Sequence, residues 1–271
     1  MTRYIFRIAI ALILMLPGCG LAQAQTAASR HVLYKLDKNT LFERGCFAPC
    51  ECPVWESTRV RGTFVLTHVA FDGLFDNYLV TDVHWLDVQA NGSKLPIKGS
   101  GTYKVGGEFA VQQQLSLDLS VGADPVTHYD SGLVTGPSDF PRIDMTISIN
   151  GGYCFDTVIT VRSRPALEIG VSDTGLSWDL VPQTTGYDIV GGDLRMLRAT
   201  GGNFTTSTTQ CLAANTGATS VLFTTQPAPG EGFWFLARWV DGTAIDSYDE
   251  DDAGQMGSRD ASIEASAAAC P

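Results

Sequence analysis

Six side chains able to move protons or bind metal, His68, Asp72, Asp76, Asp82, His84 and Asp87, fall in one short stretch of this 271-residue chain. Asp82 and His84 stand two positions apart, which in a strand turns both to one face and within reach of a common ion. Two ligands do not complete a site. The remaining carboxylates fall in a loop or on the opposite face, so the expectation is a set of solvated surface groups. A second acidic run, Asp246 to Gln255, offers Asp246, Asp249, Glu250, Asp251 and Asp252 as the oxygen ligands that calcium prefers. It lacks the twelve-residue spacing of an EF-hand loop, and a solvated acidic loop is the expected state of 246–252.

Other chemistries find less support. No G-x-S-x-G, H-E-x-x-H or G-x-x-x-x-G-K motif occurs, and the glycine pairs sit where hairpin turns are expected rather than between strand and helix. A glycan-active enzyme would need two carboxylates about 5–9.5 Å apart in a cleft, and no such pair is identifiable in the chain. The expectation is a protein that is not an enzyme, with no catalytic, cofactor or metal residues.

Cysteine is the most informative residue type. "GCFAPCECPVW" places Cys46, Cys50 and Cys52 together, and Cys154, Cys211 and Cys270 follow singly. A C-x3-C-x-C cluster with no second cluster and no histidine close by is a poor zinc pattern, and there is no C-x-x-C redox motif. Six cysteines in an oxidising compartment read as three disulfides. Cys50 and Cys52 are too close to bridge each other without strain. Two pairings remain: Cys46–Cys50 with Cys52–Cys154, or Cys46–Cys52 with Cys50–Cys154. Cys211 and Cys270 are expected to bridge each other and tie the C-terminal end back, with "SRDASIEASAAAC" as a short helix beginning near Ser258 or Asp260.

The oxidising compartment is read from the N-terminus. Arg3 and Arg7, the apolar run Ile8 to Leu16 and the small residues that follow form the three parts of a secretory signal peptide over residues 1–24. Leu16-Pro17-Gly18-Cys19 also resembles a lipobox, which would anchor the protein through Cys19. Either way the expected location is secreted or periplasmic. Loss of Arg3 and Arg7 lowers the basic count from 18 to 16 against 29 acidic residues, so the formal charge moves from −11 to −13. That balance repels phosphate backbones, so nucleic acid is not an expected partner. No later apolar run reaches the length of a transmembrane segment.

The elements that must position these residues are β-strands. With 28 Gly, 12 Pro and few long helical patterns, the chain reads as all-β. Asn91-Gly92, Gly106-Gly107 and Asn150-Gly151 each follow a strand-like run and suit tight hairpins, which together make an antiparallel meander. Phe109, Val111, Leu115, Leu117, Leu119 and Val121 alternate with polar residues, as do Ile143, Met145, Ile147 and Ile149, so one face is dry and the other wet. Seven or eight strands fit a sandwich or a small closed barrel. The bulky inward residues favour the sandwich.

Pro165 marks the expected boundary between a disulfide-stapled antiparallel β domain (25–164) and a second module (165–271). The second module carries "LSWDLVP" with Trp178, then "GYDIV" with Tyr187, then "GFWFLARWVDG" with Phe233, Phe235 and Ala237 on its core face. These stretches resemble strands two, three and six of a fibronectin type III-like sandwich of secreted bacterial proteins, and the resemblance implies two antiparallel β domains in tandem. The 25–164 region resembles an uncharacterised secreted β domain. Trp239 departs from the small residue usual at its position, and residues 191–213 are longer than the usual connection. Trp234 and Leu236 point away from the expected core, toward an interface or beneath that connection.

The functional expectation is a non-catalytic secreted or envelope protein acting as a binding or display module for an extracellular protein or polymer. The alternative is a lipocalin-like carrier holding a small apolar ligand in the first β domain.

Overall fold

The computed structural model describes residues 31–136, 140–242, 244–249, 255 and 257–271. The expected signal peptide, Cys19 and three of the acidic residues, Glu250, Asp251 and Asp252, lie outside them. Among the described residues no helix is long and apolar enough to cross a membrane.

Strands β1 (His31–Leu36) and β2 (Leu41–Cys46) are followed by β3 (Trp55–Phe71), β4 (Phe75–Val88), β5 (Lys94–Gly106), β6 (Gln112–Val121), β7 (Thr127–Asp130), β8 (Ile143–Ser148) and β9 (Phe155–Pro165). Each strand from β3 to β8 pairs antiparallel with the next. Both β1 and β2 pair with β3 on one side and β9 on the other, so the sheet closes on itself. The preferred sandwich is therefore corrected to a barrel, in which β1 and β2 lie end to end as one interrupted stave. Alternation dries one face equally in either architecture; closure depends on local bends. A register shift between Val80 and Val83 coincides with a positive φ of 51° at Asp82, and Gly62 sits where a Cβ would meet the His84 carbonyl oxygen at 2.1 Å. Bulges and close-approach glycines of this kind coil a sheet toward closure.

The break between β1 and β2 is repaired by a side chain. Thr40, fully buried, donates its hydroxyl to the Arg162 carbonyl at 2.8 Å and accepts the Arg162 N–H at 3.1 Å, while its own carbonyl accepts from Val60 N. Thr40→Val keeps the shape and orphans the Arg162 N–H, while the Arg162 carbonyl keeps the Asp37 N–H at 2.8 Å. It should cost about 2 kcal/mol in urea unfolding; an unchanged midpoint would show that the hydroxyl does not replace the missing ladder bonds.

The other irregularity is a seam. β7 meets β8 through one residue pair, Asp130↔Ser148, before the chain leaves the wall. The interior is filled by inward residues such as Tyr34, Phe64, Trp85, Tyr103, Leu117 and Ile159, each no more than 1% exposed. Phe64 joins Tyr34 and Trp85, with ring centroids 5.2 and 6.0 Å away. Three residues expected on dry faces are not: Phe109 is 96% exposed, and Val111 and Ile149 are also exposed. All three lie just beyond strand ends, where alternation in the sequence outlasts the strand.

The C-terminal segment contains β10 (Ile169–Val171), β11 (Gly175–Trp178), β12 (Gly186–Asp193), α1 (Leu194–Ala199), α2 (Phe204–Ser207), β13 (Thr208–Thr216), β14 (Ser220–Leu222), β15 (Phe233–Asp241), β16 (Ala244–Ile245) and α3 (Arg259–Glu264). One sheet runs β10-β11-β14 and the other β13-β12-β15-β16. Leu176, Trp178, Tyr187, Ile189 and Trp239 pack into one buried cluster. The Tyr187 hydroxyl accepts the Val181 N–H at 2.7 Å. A further cluster of Val190, Trp234, Tyr248 and Ile263 has Leu194, Leu197, Phe204 and Leu236 packed against it. These belong to α1, α2 and α3 or their neighbours, so Trp234 and Leu236 are covered by the 191–213 connection. Ser258 caps α3 by accepting from Ala261 N, in the position expected from the sequence.

The six cysteines among the described residues are all paired: Cys46–Cys52, Cys50–Cys154 and Cys211–Cys270. Of the two arrangements open for the first cluster, the structure adopts the second. It fits the local path, because Phe47 N donates to Cys154 O and so brings the following turn onto the start of β9.

Candidate functional site

The six candidate side chains do not converge. Asp72 holds the β3–β4 turn, accepting the N–H groups of Leu74 and Phe75 and the Asn77 amide. Those bonds, Phe75's foremost, lower its pKa. The Asp82 carboxylate accepts from Thr81 Oγ1 at 3.2 Å, and His84 Nδ1 donates to the Asp82 carbonyl at 2.8 Å. Both side chains are exposed and saturate locally rather than sharing an ion. His68 and Asp76 do meet, with Nε2 2.9 Å from Oδ1. Among the described residues no group of three or more His, Cys, Asp or Glu side chains could hold a metal.

Asp87 corrects the solvated expectation. It is 1% exposed, Gln89 donates to its Oδ2, and its Oδ1 has no partner. Burial raises the Asp87 pKa against the downward pull of Thr58 and Gln89. A carboxyl raised in the folded state costs stability once pH exceeds its folded pKa, and that cost vanishes below its unfolded pKa. Asp87→Asn is therefore expected to gain stability relative to wild type as pH rises from acid to neutral, measured by urea midpoints. A difference that shrinks with rising pH would contradict this.

The acidic run 246–252 also departs from expectation where it is described. Asp246 is buried, 2.7 Å from Arg142 Nη2 and 3.6 Å from Arg164 Nη1. Burial pushes its carboxyl up, opposed by the two guanidiniums. Arg164 also reaches Asp37 at 3.5 Å and donates to the Asp249 carbonyl, and Arg142 lies over the Trp239 ring at 5.6 Å. Arg142 and Arg164 belong to the barrel side and Asp246, Asp249 and Trp239 to the C-terminal segment, so this cluster is a polar joint between them. Asp249 Oδ1 is occupied by Gln255 Nε2 and Arg259 N, both at 2.6 Å. Nothing in the local sequence announced the joint, because its partners are about a hundred residues apart.

Beside the joint is a cleft of about 710 Å³ at one mouth of the barrel. Its barrel wall comes from β1, β3 and β4 with Phe140, and its roof is the turn 180–184 between β11 and β12. Tyr78 and Phe140 stand 5.4 Å apart, and Phe140 stacks on Tyr103 at 5.9 Å. Burial lifts the Tyr78 phenol to about 12. Tyr34 lies deepest in the lining, fully buried, with no partner for its hydroxyl. His68 and Asp76 stand at the rim, both partly exposed. This arrangement can hold a small molecule in a half-open cleft whose exposed lining is about equally polar and apolar, with His68, Asp76, Gln183 and Thr184 among its residues. Of its residues, His68 and Asp76 were visible as candidates in the sequence; Tyr34 and Tyr78 stand in strand-like runs that gave no signal of a site.

Comparison of the chain with protein-family models, curated proteins and solved structures finds no match.

Proposed function

We propose that the protein is an exported, non-catalytic binding module of the cell envelope or its surroundings, in which the C-terminal segment roofs one mouth of the barrel. The cleft at that joint carries the reading, because its size lies within the range of about 300–1,000 Å³ that suits small-molecule sites. Three disulfides support an oxidising, extracytoplasmic location, either secreted or periplasmic, with anchoring through Cys19 as a variant. The three-over-four arrangement of strands around Trp178 and Tyr187 supports a fibronectin type III-like module as the C-terminal partner.

The carrier reading draws on the closed meander, an architecture that can hold one ligand. Trp85, Tyr34, Tyr103 and Phe64 occupy the barrel interior, which moves the favoured ligand position from the centre to the mouth. The test is a screen of the exported chain against metabolites, lipids, glycans and extracellular polymers, read by thermal shift and co-sedimentation. Binding without turnover is expected. A hydrolase or transferase activity lost on replacing Asp82 or His84 would overturn the reading.

A further inference from the structure

We infer that the seam between β7 and β8 is a docking slot for an extended, basic segment of a partner protein, which pairs with the free edge of β8 as an added strand. The inference stands on the seam alone and not on the cleft at the joint, so either can fail without the other.

The backbone makes the slot. Past Asp130 the 131–134 segment stays with β6, because Gln113 and Val134 exchange both backbone hydrogen bonds, at 2.7 and 2.9 Å. β8 stays with β9 along its whole length, so the wall parts between them. In an antiparallel ladder the backbone groups of successive residues point to opposite edges of the strand. Ile149 N donates to Thr157 O, so Ile147, Met145 and Ile143 bond β9 in the same sense, and the N–H and C=O groups of Asp144 and Thr146 point into the seam. Among the described residues these two have no backbone partner there. From Ile143 to Ile147 the open edge is about 13 Å long at the usual rise of a strand.

The opening is a cleft of about 660 Å³, walled by Ser131, Gly132 and Val134 on one side and by Asp144, Thr146 and Ser148 on the other. Walls on both sides suit a single extended chain better than the sheet edge of a second barrel. Such a chain gains affinity from main-chain hydrogen bonds and preference from its alternate side chains. Val134, Met145 and Val158 in the lining offer apolar contact to one set of those side chains. Charge selects further. The charged residues of the lining, Asp130 and Asp144, are both acidic. Arg162 pairs with Asp144 at 3.2 Å, which leaves Asp130 and the formal charge of −11 to favour a basic segment over an acidic one.

The probe is the heptapeptide Lys-Thr-Val-Thr-Val-Thr-Lys with blocked ends, titrated into the exported chain and followed by residue-resolved amide exchange. In the free chain the Asp144 and Thr146 amides should exchange faster than those of Met145 and Ile147, and saturating peptide should slow the first two by about tenfold or more. The same peptide N-methylated throughout keeps its side chains and charges but cannot donate, and should bind at least about tenfold more weakly. Thr146→Pro removes the seam-facing N–H at an edge position and leaves the bonds between β8 and β9 in place. Val134→Trp fills the slot from an exposed wall position. Each should weaken binding of the heptapeptide about tenfold or more, while far-ultraviolet circular dichroism and the unfolding midpoint stay near wild type. Absence of saturable binding, or equal binding by both variants, would overturn the site. Protection of the Asp144 and Thr146 amides in the free monomer would overturn the open edge, and equal binding of the N-methylated peptide would overturn backbone pairing. If a peptide ending in glutamates binds as tightly, the charge preference falls. A chain that dimerises with these two amides protected and no peptide present would place a second copy in the slot and overturn the peptide assignment.

Discussion

Replacing Cys50 and Cys154 together with serine is expected to lower stability by about 5 kcal/mol. The bridge spans 104 positions in sequence and encloses strands β3 to β8, so its loss frees nearly the whole barrel in the unfolded chain. The chain-entropy relation gives about 4.7 kcal/mol for a loop near that length, about 4 for the 59-position Cys211–Cys270 bridge and about 2 for the six-position Cys46–Cys52 bridge. The ordering is the sharper expectation. Urea unfolding of the three double-serine variants should rank them in that sequence, with a steeper denaturant dependence for Cys50/Cys154 as its unfolded state expands. A Cys46/Cys52 variant losing as much as Cys50/Cys154 would mean that local geometry, not loop closure, sets the contribution.

Asp188→Ala should be nearly as damaging, at about 3–5 kcal/mol, for a different reason. Asp188 and Arg238 face each other across β12 and β15, 3.0 Å apart and almost fully buried. The carboxylate also accepts Asn215 N at 2.8 Å, while Arg238 lies over the Tyr248 ring at 4.5 Å and reaches Glu264 at 3.6 Å. Removing the carboxylate leaves the buried guanidinium with only the exposed Glu264 and the Tyr248 ring and takes the acceptor from Asn215 N, which costs more than the pair itself contributes. A double variant, Asp188→Leu with Arg238→Met, removes both charges at once and should recover most of the loss. Thermal or urea unfolding of both variants decides it: if the double variant is no more stable than Asp188→Ala, the stranded charge is not the source of the damage.

The parts of the fold that were legible in the sequence are those governed by neighbours. Hairpin dipeptides, the alternation from Leu115 to Leu119 and the Ser258 cap act over a few residues, and the structure follows them. Closure into a barrel was not legible, because it turns on a bulge at Asp82 that breaks the very periodicity used to read strands. Asp82 had instead been grouped with His84 as a potential ion site. The cysteine cluster lay between these cases: proximity excluded one pairing, and only the fold of the 46–54 turn onto β9 chose between the other two. Asp246 shows the limit most clearly. Its surroundings in sequence are acidic and polar, yet its partners Arg142 and Arg164 arrive from the barrel, and a long-range pair leaves no local trace. The cleft followed the same rule, since its floor and roof come from segments far apart in the chain.

The single-pair contact between β7 and β8 has a mechanical consequence. A barrel resists deformation as a hoop does, by carrying load around its circumference, and a hoop is only as strong as its narrowest join. Here the join is Asp130↔Ser148, while the neighbouring β8–β9 ladder is six pairs long. The wall therefore behaves as a split ring. Amide hydrogen exchange is accordingly expected to be fastest in the barrel wall along the β7-facing edge of β8. The disulfide between Cys50 and Cys154 spans the β2–β9 side and leaves this split unclamped.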